Sequence, residues 1–280
     1  MKCLLSAFAD EYDSTLEGQL KMLSETSIGY LEPRFIDGKN ISDFNEEEAK
    51  ELKKRLDDTG IKVTSIGSPL GKIGIDDDFE QHLELTKRVV QTANILDTDK
   101  IRVFSFYHHS EDGNVEKYFD TTVEKLSRMI EVADGSGVKL CHENEARVYG
   151  ETPECCKQLM DALPKLGCVF DMGNFALRGY DPLHAYRLLK DRIKYFHIKD
   201  ALSIGAIVPP GCGEAKIADI LGDFTKDREV IITLEPHLEV FNGLKTLVAP
   251  NGEKFVNPYR FSSCEEAFLT AVKKIREIID

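Results

Sequence analysis

Three carboxylates and one imidazole recur at similar intervals along the second half of this sequence. Glu143, Asp171, His197 and Glu235 are 28 (143 to 171), 26 (171 to 197) and 38 (197 to 235) residues apart. Each interval is about the length of one strand and one helix, so parallel strands would bring the four side chains to one end of a sheet. Such a ligand set suits Mn²⁺, Mg²⁺, Co²⁺ or Zn²⁺. The pattern predicts a site for one divalent metal ion and does not distinguish among these four.

Strand alternation indicates that each candidate ligand points to the same side of the sheet. Side chains two positions apart share a face of a strand. The predicted inward pairs are Val169 with Asp171, Tyr195 with His197, and Thr233 with Glu235. A single carboxylate after a strand is more often a helix N-cap or a solvated group. Four candidates on four consecutive strands, all facing inward, favour metal binding over that interpretation.

The elements that must position these residues are eight short segments rich in β-branched and aromatic residues, separated by amphipathic stretches. The segments begin at residues 4, 30, 62, 100, 138, 167, 193 and 229, at intervals of 26 to 38 residues, which fit one strand, one helix and two loops. The predicted fold class is α/β, a (β/α)₈ TIM barrel, with residues 1–280 forming a single domain. A doubly wound sheet is the alternative, but no GxGxxG motif follows the first strand.

Helix start signals support this division of the chain. A Ser, Thr, Asp or Asn before a helix satisfies free backbone N–H groups, and Pro is favoured at the first helical position. The candidate start signals are Asp43 or Asn45, Thr152 with Pro153, and Asp181 with Pro182. The longest irregular stretches are residues 201–214 and 238–261. In a barrel both would lie at the C-terminal face, where loops build the active site.

Charge and composition exclude several classes of partner. The chain carries 36 Lys and Arg against 49 Asp and Glu, a formal net charge of −13. This charge would repel a phosphodiester backbone, so no nucleic-acid partner is expected. No apolar run approaches the roughly 18 residues of a membrane span, so no membrane partner is expected either. Seven cysteines without a CxxC pair are typical of a reducing compartment, which favours a cytoplasmic protein, and a homo-oligomer remains an option.

Short motifs along the whole chain resemble those of one enzyme superfamily. They are SAFADE (6–11), YLEPRFIDGKNI (30–41), IGSPLGKI (66–73), HEN (142–144), FDMGN (170–174), FHIKD (196–200), PPGCGE (209–214) and LEPH (234–237). In this order they resemble the sugar phosphate isomerase/epimerase superfamily, the xylose isomerase-like TIM barrels. This superfamily includes tagatose 3-epimerase and inositol catabolic proteins.

The resemblance implies roles for particular residues. It implies that Glu143, Asp171, His197 and Glu235 bind the metal, and that Glu143 and Glu235 also act as the acid/base pair. Epimerases of this group commonly carry a substrate-binding His three residues after the Asp ligand. This chain has Asn174 at that position, so the resemblance supports the metal site more strongly than epimerisation of a free ketose.

The expected reaction is isomerisation or epimerisation of a small sugar or sugar-like polyol or keto substrate. A divalent ion that chelates a carbonyl and a neighbouring hydroxyl polarises the carbonyl and acidifies the adjacent C–H. Two glutamates can then remove and return the proton through an enediolate. The alternative is a lyase on the same site, such as a dehydratase of a keto-inositol. A non-catalytic sugar-binding barrel and a DNA-repair endonuclease with several zinc ions are further alternatives, which the two glutamates and the acidity disfavour.

Six further residues are candidates for contacts with a carbohydrate substrate: Asn174, Lys199, Arg34, Ser68, Lys72 and His237. Lys199 shares the inward face with His197, where it could bind a hydroxyl or form an ion pair with a site carboxylate. Arg34 shares a face with Glu32, and the two could form a salt bridge beneath the substrate or a purely structural pair.

The remaining candidates lie in turns and loops. Ser68 and Lys72 belong to GSPLGK, whose spacing differs from that of a phosphate-binding P-loop. Gly211 and Gly213 could present backbone N–H groups to a phosphate, or could only shape their loop. His237 has the strand parity of Glu235 and is therefore a candidate for substrate binding. The sequence does not decide whether the substrate carries a phosphate.

Overall fold

Eight strands form one parallel sheet at the positions that the hydrophobic pattern predicts. A computed structural model describes residues 1–109, 114–241 and 258–280, so most of the predicted 238–261 loop lies outside the described residues. The strands are β1 (Cys3–Ala7), β2 (Tyr30–Leu31), β3 (Lys62–Val63), β4 (Lys100–Val103), β5 (Lys139–Glu143), β6 (Gly167–Asp171), β7 (Ile193–Ile198) and β8 (Val230–Leu234).

The sheet closes on itself between its two edge strands. Its order is β3-β2-β1-β8-β7-β6-β5-β4, and a parallel bridge between Ile66 and Ile101 joins the segment after β3 to β4. The N–H of Ile66 donates to the carbonyl of Lys100 at 3.0 Å, and the N–H of Arg102 donates to the carbonyl of Ile66 at 3.0 Å. We call this junction the β3–β4 seam. The predicted barrel is confirmed, and the doubly wound alternative is wrong.

Strand β2 is shorter than the predicted YLEPRF segment because Pro33 has no N–H to donate. Backbone bonding nevertheless continues past its end. The N–H of Glu32 donates to the carbonyl of Ala7 at 3.0 Å, and the N–H of Gly67 donates to the carbonyl of Pro33 at 3.0 Å. Residues 32–34 therefore keep an extended course that carries Glu32 and Arg34 into the barrel.

Helices follow the strands and form the outer layer. They are α1 (Leu16–Glu25), α2 (Glu46–Thr59), α3 (Phe79–Ile95), α4 (Phe119–Ala133), α5 (Pro153–Ala162), α6 (Met172–Leu177), α7 (Pro182–Leu189), α8 (Ile217–Phe224) and α9 (Cys264–Ile279). Three predicted start signals are confirmed. Asn45 caps α2 in a capping box with Glu48, and Thr152 and Asp181 cap α5 and α7.

The core has two apolar layers, as the strand alternation predicts. A small cluster of Cys141, Val169 and Tyr195, with Ile231 packed against it, fills the inside of the barrel. A larger cluster lies between strands and helices and includes Phe170, whose ring contacts Phe175, Tyr186 and Phe196. Because Val169 points inward and Phe170 outward, Asp171 returns to the inward face.

The loop after β7 is organised by Asp200. A hairpin of Asp200–Leu202 with Ala206–Val208 leads into residues 209–215. The Asp200 carboxylate accepts the N–H groups of Gly211, Gly213 and Ala215 at 2.8 to 3.0 Å. The interpretation of Gly211 and Gly213 as phosphate donors is therefore wrong, since a carboxylate of the chain already accepts these N–H groups. No helix among the described residues has the length and apolar character needed to cross a bilayer.

Candidate metal centre

The four predicted ligands meet at the C-terminal mouth of the barrel. One ligand atom from each of Glu143, Asp171, His197 and Glu235 lies within 4.8 Å of the other three. The residues stand at or just after the ends of β5, β6, β7 and β8. All four are buried, with at most 3% of their surface exposed. We call them the four-ligand cluster.

The two nitrogens of the His197 ring face different groups. Nδ1 lies 3.0 Å from Oε1 of Glu143 and 3.3 Å from Oε2 of Glu235. Nε2 lies 3.1 Å from Oε2 of Glu32, on the opposite side of the ring. Burial acts to lower the pKa of His197, but the charges of Glu143 and Glu32 outweigh it and raise this pKa well above its usual value. The carboxylates around the ring thus favour a positive charge at this point.

Asp171 is held by two asparagines that the metal prediction does not include. Asn144 bonds the backbone of Asp171 twice, through its Oδ1 to the N–H at 3.0 Å and its Nδ2 to the carbonyl at 2.9 Å. The N–H of Asn174 donates to Oδ1 of Asp171 at 2.8 Å, and Nδ2 of Asn174 donates to the carbonyl of Asn144 at 2.9 Å. The Asn174 side chain therefore positions the cluster, and its role in substrate binding stays a prediction.

Lys199 forms the ion pair that the sequence offered as one of two interpretations. Its Nζ lies 3.0 Å from Oδ2 of Asp171, 3.0 Å from Oδ1 of Asn174 and 3.6 Å from Oε2 of Glu235. Burial raises the pKa of Asp171 to about 6, against the opposing effect of Lys199. The ammonium thus lies beside the four-ligand cluster, close enough to reach a substrate atom bound there.

Each of the two glutamates proposed as acid and base has its own buried arginine. Nη1 of Arg102 donates to Oε2 of Glu143 at 3.2 Å, and Nη1 of Arg34 donates to Oε1 of Glu235 at 2.7 Å. Both guanidinium groups lie over the ring of Phe8, at 4.2 Å for Arg34 and 4.9 Å for Arg102. Each carboxylate is therefore held through one oxygen, while its other oxygen faces His197.

The predicted salt bridge between Glu32 and Arg34 is wrong. Arg34 instead binds Asp10 through Nε at 3.0 Å and Glu11 through Nη2 at 3.2 Å, in addition to Glu235. The pairing differs because Asp10 and Glu11 follow β1, the strand beside β2, at the level of the mouth. These two carboxylates and Arg102 are site residues that the sequence did not predict. Their signal was available, because Asp10 and Glu11 follow a strand end as the predicted ligands do.

His237 belongs to a second group of potential ligand atoms, with Glu11 and Glu235, that also lie within 4.8 Å of one another. Its Nε2 lies 3.3 Å from Oε1 of Glu11 and 3.4 Å from Oε1 of Glu235. Arg34 contacts these same two oxygens. The guanidinium therefore already supplies the positive charge there, and His237 stays a candidate for substrate binding.

Ser68 and Lys72 occupy different positions relative to the cluster. The Ser68 hydroxyl is fully buried and donates to the backbone carbonyl of Arg102 at 2.5 Å. Nζ of Lys72 donates to Oε2 of Glu145 at 3.0 Å and lies 4.3 Å from the centre of the Phe104 ring. Ser68 thus supports the β3–β4 seam, and the substrate contact predicted for it has no support in this geometry. Lys72 is partly exposed near the mouth, and its substrate role stays a prediction.

The cluster fits a divalent cation. Three carboxylates and an imidazole provide a ligand set that such ions accept. Oε2 of Glu235 is buried and makes no hydrogen bond among the described residues, although Nδ1 of His197 at 3.3 Å and Nζ of Lys199 at 3.6 Å face it. A buried acceptor without a hydrogen bond is costly unless another group compensates it. A cation among the four ligand atoms would contact this oxygen and offset the repulsion between neighbouring carboxylates.

The family of the chain follows from its sequence and agrees with this geometry. The family described as the xylose isomerase-like TIM barrel matches residues 22–239, and the chain belongs to that family. A curated relative, the uncharacterized protein MJ0008 of Methanocaldococcus jannaschii, is 25% identical over 138 residues, which are 49% of this chain and 58% of that protein. The match thus spans a little over half of the relative's length.

Solved structures share the barrel across nearly the full chain. The probable 3-DHS dehydratase AsbF from Bacillus anthracis has a TM-score of 0.73 and 17% identity, with 99% of each chain covered. The IolI protein, with a bound zinc atom, has a TM-score of 0.73 and 18% identity, covering 100% of this chain and 98% of that one. D-psicose 3-epimerase from Clostridium cellulolyticum H10, with D-tagatose, has a TM-score of 0.70 and 13% identity over 100% of both chains. At such identities these likenesses show the fold alone.

Proposed function

We propose that this protein is a divalent-metal-dependent isomerase or epimerase of a small sugar or sugar-like keto substrate. The observation that carries the proposal is the four-ligand cluster, in which two glutamates on different strands each face the same point with one oxygen. We assign Glu143, Asp171, His197 and Glu235 as metal ligands, and Glu143 and Glu235 as the acid/base pair. A bound divalent ion would polarise a substrate carbonyl and acidify the adjacent C–H.

The residues of the chain would divide the proton transfer between them. One glutamate removes the proton from the carbon beside the carbonyl, and the enediolate receives a proton from the other. Return to the opposite face of the same carbon inverts it. Delivery to the neighbouring carbon, with the hydroxyl proton passing to the former carbonyl oxygen, moves the carbonyl. Arg102 and Arg34 keep Glu143 and Glu235 in place, while Lys199 donates a hydrogen bond to a substrate oxygen.

The substrate contacts are proposed from position at the mouth. Lys199 and His237 lie beside the four-ligand cluster and face different oxygens of Glu235, and Lys72 contacts Glu145. Asn174 and Arg34 are engaged by groups of the chain itself, so we propose a positioning role for them. The Lys199 ammonium has three donors and uses two of them for Asp171 and Asn174, which leaves one for a substrate oxygen. A polyhydroxylated substrate offers the hydroxyl groups that an ammonium and an imidazole can bind.

A lyase on the same site is the second candidate. AsbF, a probable dehydratase, has a barrel as similar to this chain as that of IolI. In addition, Asn174 stands where epimerases of this group commonly have a substrate-binding His, and its amide bonds the chain itself. The same C–H activation followed by loss of a β-hydroxyl would eliminate water.

Metal content and product mass test the proposal. We expect about one divalent ion per wild-type chain after reconstitution, and loss of most of this ion in Glu143→Gln because a neutral amide is a weaker ligand than a carboxylate. Glu145→Gln is the matched control, since Glu145 pairs with Lys72 outside the cluster and should leave metal content unchanged. Equal metal content in the wild type and Glu143→Gln would refute the assignment.

A panel of ketoses, aldoses and keto-inositols in D₂O separates the two reactions. An isomerase or epimerase gives a product of unchanged formula with deuterium at carbon, whereas a lyase gives a product lighter by one water. Mass spectrometry and proton NMR of the products distinguish these outcomes. Absence of both deuterium exchange and product with every substrate, for a metal-loaded protein, would favour a non-catalytic sugar-binding barrel.

A further inference from the structure

We propose that Glu32 is a positioning residue that fixes the tautomer and orientation of His197, so that Nδ1 of the ring is the metal ligand. The inference rests on the metal site proposed above, and Glu32 contacts His197 there instead of the predicted Arg34. It names which ring nitrogen binds the ion and which group outside the cluster determines that choice.

The two nitrogens of the His197 ring face different carboxylates. Nε2 of His197 faces Oε2 of Glu32 at 3.1 Å, and Nδ1 faces Glu143 and Glu235. An ionised carboxylate only accepts hydrogen bonds, and a neutral imidazole has one N–H and one lone pair. When a cation takes the place of the hydrogen on Nδ1, Glu32 keeps the other hydrogen on Nε2, and the lone pair of Nδ1 is directed into the four-ligand cluster.

Two hydroxyl groups hold the Glu32 carboxylate in place. The hydroxyl of Tyr195 donates to Oε1 of Glu32 at 2.9 Å, and the hydroxyl of Thr233 donates to Oε2 at 2.8 Å. Tyr195 and Thr233 lie two residues before His197 and Glu235 on the inward faces of β7 and β8. The strands that carry two ligands thus also carry the donors that fix Glu32, one layer deeper in the barrel.

The His197 ring has little freedom to turn. The Phe8 ring meets the His197 ring edge-on, with centroids 5.0 Å apart, and the Tyr195 ring lies at 5.4 Å. His197 and Glu32 are both fully buried. A flip of the imidazole would put Cε1 and Cδ2 where Nε2 and Nδ1 now lie, so that Glu32 and the four-ligand cluster would each lose the ring nitrogen that faces them.

Glu32 is a fully buried carboxylate, and its burial costs free energy. Among the described residues its hydrogen-bond partners are His197, Tyr195 and Thr233, and its ion pair is with His197. Burial acts to raise the pKa of Glu32, but His197 and the more weakly acting charge of Arg102 outweigh it and lower this pKa. Burying a carboxylate that no Lys or Arg contacts directly still costs several kcal/mol unless its hydrogen bonds compensate. A structural role alone would be served by an amide or an apolar side chain. Orientation of a metal-bound histidine by a carboxylate is a function that requires the charge.

The test measures the apparent Kd for Mn²⁺ by electron paramagnetic resonance titration of the metal-free protein. We expect Glu32→Ala to weaken Mn²⁺ binding by roughly 10- to 100-fold, as removal of carboxylates that support ligand histidines does. Glu32→Gln should weaken it less, because its amide oxygen can still accept from Nε2–H but carries no charge. Tyr195→Phe, which leaves Glu32 with one donor fewer, should weaken it by a few-fold at most.

A matched control separates positioning from general destabilisation. Asp200→Asn changes another buried carboxylate, whose hydrogen-bond partners are backbone N–H groups of its own loop, and should leave the Mn²⁺ affinity within about twofold of wild type. The visible spectrum of the Co²⁺-loaded protein should change in Glu32→Gln and stay unchanged in Asp200→Asn, because it reports ligand geometry. If Glu32→Ala does not fold, Glu32→Gln alone carries the test.

The test distinguishes failure of the role proposed for Glu32 from failure of the proposed metal-dependent function. Wild-type affinity and an unchanged Co²⁺ spectrum in Glu32→Gln would overturn the role of Glu32 while leaving the metal site intact. A wild-type protein that binds neither Mn²⁺ nor Co²⁺ would overturn the metal-dependent function, and the role of Glu32 with it. Loss of affinity in Glu32→Gln with Asp200→Asn unaffected supports the inference.

Discussion

Arg34 is the residue on which three buried carboxylates at the barrel mouth depend. It bonds Asp10, Glu11 and Glu235, and its own side chain is completely buried. Burial raises the pKa of Glu11 to about 8 even though Arg34 and a backbone N–H stabilise its charged form. Burial and the charge of Arg34 thus act on Glu11 in opposite directions, and Arg34 is the main group that stabilises its charged form.

Removing the Arg34 charge should destabilise the protein severely. We expect Arg34→Met to lower the free energy of unfolding by about 3–5 kcal/mol, because it leaves buried carboxylates without their partner. Chemical denaturation at neutral pH measures the change. Arg228→Met removes an exposed arginine that pairs with the neighbouring Asp227 and should leave the unfolding midpoint unchanged. A midpoint for Arg34→Met equal to that of wild type would mean that the carboxylates rearrange at little cost.

At the scale of residues, spacing and alternation predicted the four ligands but not their partners. A ligand position is local information, since it depends on where a strand ends and which face it presents. The partners of Arg34 and Glu32 are set by neighbouring strands distant in the chain, such as β1 beside β2 and β7 across the barrel. The sequence placed Glu32 and Arg34 on one face, but it could not show that each finds a closer partner elsewhere.

At the scale of elements, the β3–β4 seam is extended by a close backbone approach at one glycine. Gly71 has φ of +87°, and a Cβ there would lie 2.0 Å from the carbonyl oxygen of Phe104. The carbonyl of Gly71 accepts the N–H of Phe106 at 3.0 Å, next to a bond from the N–H of Phe104 to the carbonyl of Leu70 at 2.7 Å. These bonds extend the junction of the barrel beyond the Ile66–Ile101 bridge.

A side chain at Gly71 should therefore open this junction. We expect Gly71→Ala to lower the free energy of unfolding by at least about 2 kcal/mol, from the left-handed backbone and the clash with Phe104. Thermal unfolding measures the change, and amide hydrogen exchange of residues 101–107 should accelerate. Gly29→Ala is the matched control, because no atom lies within 4 Å of its added Cβ. Similar melting temperatures for the two variants would contradict this account.

The sequence predicted the existence and order of these elements better than their lengths. All eight strands lie where the pattern placed them, because a parallel strand covered on both faces needs a continuous apolar segment. β2 and β3 are only two residues long, because Pro33 interrupts the first and the seam at the end of the second is formed by isolated bonds. Closure between β3 and β4 is a property of eight twisted strands together and of no single segment.

At the scale of the whole molecule, the seam is coupled to the outer helical layer through His82 on α3. Its Nε2 accepts the N–H of Gly71 at 2.8 Å, which requires an unprotonated nitrogen at that position. Burial, with a smaller contribution from the charge of Lys125, lowers the pKa of His82 to about 4. Acid should therefore act on the global stability of the barrel through this residue.

The sign of the effect follows from proton binding in the two states. The pKa of His82 is about 4 in the folded protein, and that of an unfolded histidine is about 6.5. Above pH 6.5 neither state binds the proton. Between about pH 6.5 and 4 the unfolded state binds more protons, so stability falls with decreasing pH by up to about 1.4 kcal/mol per pH unit. The contribution is fully present at neutral pH and is lost through this window.

Replacing His82 by a group that accepts but does not titrate should remove this part of the acid sensitivity. We expect the wild type to lose about 2 kcal/mol more than His82→Gln between pH 7 and pH 5, with the glutamine oxygen accepting the Gly71 N–H in both conditions. Urea unfolding at the two pH values measures the difference. His184→Gln, which removes a partly exposed histidine paired with Glu154, should retain the wild-type loss. If His82→Gln and the wild type lost equal stability, the acid sensitivity would have to arise from other buried groups, and the coupling of α3 to the seam would not depend on the charge state of His82.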